Sequence, residues 1–155
     1  MFVGAFVIAA AVGAPAAPED WRNVRSAVTA FVEALDAGSR ARIAASCTGD
    51  ATVVDEDPPY LFAGRGCGVW WDAVMQGMRE GGLRDVHAVA REARITSIDR
   101  GRAYVVVPVR VTSVVHGESR WRTLDATIVL HRRASVWRIV SLTWSVTGLQ
   151  PQQSL

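Results

Sequence analysis

Three consecutive acids, Asp55-Glu56-Asp57, run into Pro58, Pro59 and Tyr60. They are the residues of this chain best placed for chemistry. A carboxylate at the end of an apolar strand, here Ala51-Thr52-Val53-Val54, loses part of its water shell if it faces a hollow, and a positioned carboxyl of that kind can carry a proton. Asp55 is therefore the first candidate catalytic residue. The Tyr60 hydroxyl is the second, as a hydrogen-bonding partner for a ligand. The plainer reading is a solvated acidic turn ahead of two prolines, with the tyrosine resting on its neighbours. The same acids do not read as a calcium loop, because no Asp-x-Asp-x-Asp-Gly pattern follows.

Other reactive side chains are sparse. His87, His116 and His131 lie on or beside three different extended segments, with no His-x-His or His-Glu-x-x-His pattern, and Cys47 and Cys67 lack metal-ligand spacing. A metal site is not expected. Nucleophile-elbow, phosphate-loop and dinucleotide motifs are all missing, so no cofactor is expected either. Trp70 and Trp71 are suited to stacking on a flat ligand, although tryptophans at helical spacing serve equally as core.

The elements that would position these groups follow from periodicity. Trp21, Val24, Val28, Phe31, Val32 and Leu35 recur at steps of three and four, the stripe of an amphipathic helix, with Pro18 at its start and Gly38 at its stop. Ser39 is expected to cap a short second helix running to about Cys47. Ala51–Val54 reads as a strand, ended by the two prolines, and Tyr60–Phe62 as a short extended piece. Trp70, Trp71, Val74, Met75 and Met78 mark a third helix, ended at Gly81-Gly82. The period then changes to two. Long strands are expected over about 85–98, 102–115, 120–132 and 136–147, and Pro108 points to an edge position or a bulge in the second of them.

The chain has 155 residues, 50% hydrophobic and 21% charged, which suits one folded domain with its own core. All 17 basic residues are arginine, scattered along the chain, and the net charge is only +2. That is not the clustered basic footprint of a nucleic-acid binder. Phe2–Val12 is an apolar run ahead of Ala14-Pro15-Ala16, which resembles a secretory signal peptide, although no arginine precedes it, and it is too short to span a membrane. Residues 1–17 are therefore read as a leader, 18–148 as the domain and 149–155 as a tail. The expected location is secreted or periplasmic, with the cytoplasm as the alternative. Cys47 and Cys67 are then two buried thiols or, in an exported protein, a disulfide that stabilises by about 3 kcal/mol on a loop-entropy argument.

Helices ahead of a run of antiparallel strands must cover one face of a bent sheet. With that order in place, the chain resembles the nuclear transport factor 2-like superfamily, also called cystatin-like, and within it the SnoaL-like polyketide-cyclase and ketosteroid isomerase branches. The resemblance rests on Phe31-Val-Glu-Ala-Leu-Asp-Ala-Gly38, on Gly49-Asp-Ala-Thr-Val-Val-Asp55, on Phe62-Ala-Gly-Arg-Gly66 and on Val136-Trp-Arg-Ile-Val140 with Trp144. It implies an α+β cone-shaped barrel, a strongly curved antiparallel sheet on three helices from the N-terminal half. It implies an apolar pocket lined by Phe31, Leu35, Val54, Phe62, Trp70, Trp71 and Val74, and a homodimer formed through the sheet. By the same resemblance Asp55 stands at the isomerase base. Phe31, which has no hydroxyl, stands where a tyrosine donor would be, and Asp125 is the carboxyl nearest the position of the second donor.

The function expected is binding of a small apolar molecule, with neither nucleic acid nor membrane as partner. The alternatives are a cofactor-free isomerase, cyclase or dehydratase using Asp55, and an interaction protein that dimerises through its sheet.

Overall fold

A helix can begin at proline without losing a hydrogen bond, and α1 (Pro18–Asp36) does so, with Glu19 and Asp20 in its first turn where negative charge meets the positive helix end. The computed structural model describes residues 17–149. The leader and tail inferred from the sequence thus lie, except for one residue each, outside the described residues. The α1 stripe of Val24, Val28, Phe31, Val32 and Leu35 is buried. Gly38 turns the chain with a left-handed φ of 59°. The short α2 (Arg40–Ser46) follows. Ser39 occupies its N-cap position, but the hydroxyl makes no cap hydrogen bond, so the capping inferred from its type is absent.

Next come β1 (Cys47–Val54), β2 (Leu61–Phe62) and α3 (Gly66–Glu80), then β3 (Leu83–Ala90), β4 (Arg94–Asp99), β5 (Arg102–Val115), β6 (Glu118–Arg133) and β7 (Val136–Leu149). The sheet order is β2-β1-β7-β6-β5-β3, with β4 also paired to β5. Three helices against a bent α+β sheet is the architecture inferred from the sequence. Two features differ from it. The β1–β7 pair is parallel, so the sheet is mixed and not wholly antiparallel. Nor does it close: β2 lies at one edge and β3 at the other, so the barrel is an open cone. Register shifts in β1–β7, β3–β5, β4–β5 and β6–β7 supply the bulges that bend it.

The single strand expected over 85–98 is two strands, β3 and β4, both antiparallel to β5. Pro108 accounts for the break. It sits in β5, which is paired on both sides and is not an edge. In an antiparallel ladder a residue's N–H and C=O point the same way. The Pro108 carbonyl accepts from the Arg91 N–H at 2.8 Å, so the missing Pro108 donor faces the gap between β3 and β4.

Alternate residues of the long strands face the helices. Ala103, Val105, Val107 and Val109 of β5 and Leu124, Ala126, Ile128 and Leu130 of β6 are buried, and they meet Ile139, Leu142, Phe31 and Ile43 in one core. The Cys47–Cys67 disulfide ties the start of β1 to the first turn of α3, with the Cα atoms 6.0 Å apart. Just before Cys67, Gly66 has a φ of 70°, and a Cβ there would lie 3.0 Å from the Gly49 carbonyl oxygen. Only glycine meets both constraints.

Candidate functional site

The sheet extends beyond its solid core. Past Val109 the inward residues of β5 are Val111, Ser113 and Val115; before Leu124 those of β6 are Arg122 and Arg120. These line a cleft of about 1580 Å³ rather than solid core. One wall is sheet and the opposite wall is α3, with Trp70, Trp71, Val74 and Met78. Val86 and Ala88 of β3 and Trp144 of β7 complete the apolar surface, and the β1–β2 loop contributes Asp55, Glu56 and Asp57.

Six of the nine residues singled out from the sequence meet on this cleft: Asp55, Leu35, Phe62, Trp70, Trp71 and Val74. Three do not. Phe31 is wholly buried in the solid core below the cleft, because a helical stripe fixes the inward side but not the depth. Val54 is 36% exposed and Val53 fully buried, since alternation along β1 turns Val54 outward. Tyr60 is 57% exposed, and its backbone, at a φ of 65°, closes the loop: its N–H donates to the Asp57 carbonyl and its carbonyl accepts from the Asp55 N–H, both at 2.9 Å.

The two neighbouring acids have different surroundings. Asp55 accepts hydrogen bonds at both oxygens. Oδ2 takes the Trp70 indole N–H, and Oδ1 takes the Glu56 N–H at 2.7 Å and, more weakly, the Asp57 N–H at 3.4 Å. It fastens the loop to α3. Glu56, with a side chain only 16% exposed, pairs through Oε1 with Arg122 of β6. Its Oε2 is buried without a partner. Burial pushes the Glu56 carboxyl above its ordinary range; Arg122 pulls the other way, and the charges of Asp57 and Asp55 add to the rise. Sequence reasoning passed over Glu56 because its partner lies 66 positions away.

Three indoles gather at this end. The Trp70 ring is 6.0 Å from Trp144 at an interplanar angle of 21°, and 5.9 Å from Trp71 at 57°. Trp70 has its acceptor in Asp55. The Trp144 indole N–H is buried and unpartnered. The tryptophans supply flat apolar surface, and the loop supplies carboxyl groups beside it. Among the described residues, no three His, Cys, Asp or Glu side chains converge as metal ligands, and no helix is long and apolar enough to cross a membrane.

Residues 24–148 match the family model described as a SnoaL-like domain. No curated protein matches the chain in sequence. Its backbone is similar to that of the hexachlorocyclohexane dehydrochlorinase LinA-type3 from Novosphingobium barchaimii, with TM-score 0.73, 14% identity and 88% of this chain and 92% of that one covered. It is similar also to a putative scytalone dehydratase from Novosphingobium aromaticivorans, with TM-score 0.69, 14% identity and coverage of 88% and 90%. A ketosteroid isomerase-like protein from Erwinia carotovora atroseptica aligns with TM-score 0.68, 16% identity and coverage of 84% and 98%. At these identities the likeness is one of fold.

Proposed function

We propose that this chain, which belongs to the SnoaL-like domain family within the nuclear transport factor 2-like superfamily, binds a small, largely apolar molecule in its cone-shaped cleft. The observation that carries the reading is the change along β5 and β6 from packed core to a cleft of about 1580 Å³, apolar on α3, β3 and β5 and with Arg120 and Arg122 on β6. Sites for small molecules commonly measure about 300–1000 Å³, so there is room for a multi-ring or long-chain guest. The test is a titration with anilinonaphthalene sulfonate, a probe of apolar pockets. The native chain should bind it saturably at one site. Val111→Trp, which fills the cleft from β5, should weaken binding at least about tenfold, roughly the loss of one well-packed apolar contact region. Equal binding by the two proteins would refute the reading.

A second reading, proton transfer on a bound carbonyl compound, is favoured by Glu56. Asp55 is the acid the sequence singles out, but both its oxygens already accept hydrogen bonds, whereas Glu56 keeps one buried oxygen unpartnered. The names of two of the structural relatives, a dehydrochlorinase and a dehydratase, also denote eliminations. Deuterium uptake by tetralone in heavy water, followed by NMR, tests this reading. Uptake above the buffer rate that is lost in Asp55→Asn or Glu56→Gln supports it and identifies which acid acts. Uptake no faster than in buffer refutes it.

The same proposal places the chain in an oxidising compartment, supported by the Cys47–Cys67 bond, since such bonds are rare in the cytosol. Alkylation without reductant, read by mass spectrometry on protein from its own host, should leave both thiols unlabelled. Two labelled cysteines would refute it.

A further inference from the structure

The arginines are scattered along the sequence, but the fold gathers several of them at one end. Arg100 and Gly101 form the two-residue turn between β4 and β5, and Ala134 and Ser135 the one between β6 and β7. All four residues have positive φ, the type I′ pattern of tight hairpins. The Arg132 N–H donates to the Gly101 carbonyl at 2.8 Å, so the two turns lie side by side. Asn, Asp or Gly is the usual residue at the first turn position, so turn chemistry does not account for Arg100. Arg100, Arg102 and Arg133 are exposed around these tips, and Val136 beside them is 50% exposed.

Counter-charge covers only part of this end. Asp20 of α1 pairs with Arg132, exposed Asp99 lies 3.8 Å from Arg100, and Asp50 of β1 is within electrostatic reach of Arg133. Among the described residues Arg102 and Arg133 have no ion-pair partner. With Arg22 and Arg25 from the first two turns of α1, Arg138 of β7 and one further acid, Glu19, this end carries seven arginines and four acids. That excess of three is larger than the +2 of the whole chain, so the rest of the molecule is net negative. The Asp20–Arg132 pair also fixes where α1 starts, and with it the end at which the apolar stretch Phe2–Val12 joins the domain. Residues 13–17 intervene, so Val12 lies no more than about 20 Å from Pro18.

We propose that this end is a docking face for an anionic lipid surface, engaged jointly by the arginine tips and by Phe2–Val12. The stretch is too short to span a bilayer but long enough to sit in its interface, and a weak apolar anchor becomes a firm one beside a basic patch. A leader kept on the chain thus doubles as an anchor. The pairing favours lipid over nucleic acid, which offers an apolar stretch nothing to enter. β5 and β6 run from these turns to the cleft rim at Val115 and Glu118, so the docked chain holds its cleft away from the surface. The proposal is independent of what the cleft binds.

The experiment is flotation of the full 155-residue chain with vesicles of phosphatidylcholine, alone or mixed with phosphatidylglycerol. Binding to the mixed vesicles should be at least about tenfold tighter at about 0.1 M salt, and should fall at about 0.5 M. Arg100→Ser/Arg102→Ser/Arg133→Ser should lose at least about tenfold on the mixed vesicles, since each arginine near such a surface contributes about fivefold. Arg79→Ser/Arg84→Ser/Arg91→Ser, which removes the same charge from exposed positions away from the turns, should lose less than about threefold. Val7→Asp/Ile8→Asp should weaken binding to both kinds of vesicle. Equal binding to the two compositions, equal loss in the two arginine triples, or binding untouched by Val7→Asp/Ile8→Asp overturns the proposal. So does tighter binding of a duplex oligonucleotide than of the mixed vesicles, lost in Arg100→Ser/Arg102→Ser/Arg133→Ser, which would assign these arginines to nucleic acid.

Discussion

Glu56 of the β1–β2 loop and Arg122 of β6 meet as an ion pair on the wall of the cleft. Because burial holds the Glu56 carboxyl above its ordinary range, the folded chain binds that proton more tightly than the unfolded chain does. The stability this group contributes is then fullest in acid, and it falls as pH rises from about 4.3, the unfolded value, through the raised folded value. Glu56→Gln cannot titrate. Its unfolding temperature should gain on that of the native chain as pH is raised from about 4 to about 7, and a constant difference would contradict the assignment. Arg122→Met should cost about 1–3 kcal/mol near neutral pH, because the largely buried carboxylate loses its counter-charge, and less in acid, where Glu56 holds a proton. Denaturant unfolding at the two pH values measures both. Asp55→Ala should cost a similar amount, since the Trp70 indole N–H loses its acceptor. Asp55 was legible because an acid closing an apolar strand is a local pattern. Glu56 and Trp144 were not, because what sets them apart is a partner, or the lack of one, from distant chain.

At the scale of elements, the disulfide and Gly66 together fix α3 on β1, and so fix Trp70 and Trp71 relative to the Asp55 loop. Replacing both Cys47 and Cys67 by Ala should lower stability by about 3 kcal/mol for a crosslink with a separation of 20 residues. Gly66→Ala should cost at least about 1–2 kcal/mol, through its left-handed φ and the close Gly49 carbonyl. Thermal unfolding checks both, and a Gly66→Ala protein as stable as the native one would rule out the close approach. The helices and the long strands were readable because their periods of 3.6 and two are local. Three features were not. The parallel β1–β7 pairing depends on chain return, the split of β3 from β4 depends on what lies opposite Pro108, and the inward side of β1 shifts with a one-residue choice between Val53 and Val54.

For the whole molecule, architecture and function separate. Three helices from the N-terminal half cover a sheet longer than they are, so a cleft opens where β5 and β6 outrun the core. Periodicity implies the covered sheet, but not where the filling stops, because depth within a cone depends on curvature set by bulges between strands. On the proposed function the apolar guest sits in this cleft. Photolabelling of the native chain with benzophenone, mapped by peptide mass spectrometry, tests it most directly. Attachment is expected at Met78 of α3 and within Val109–Val115 of β5, with both lost in Val111→Trp; attachment instead on the outward sheet face, around Thr127 and Val129, undiminished by Val111→Trp, would place the guest elsewhere and refute binding in the cleft.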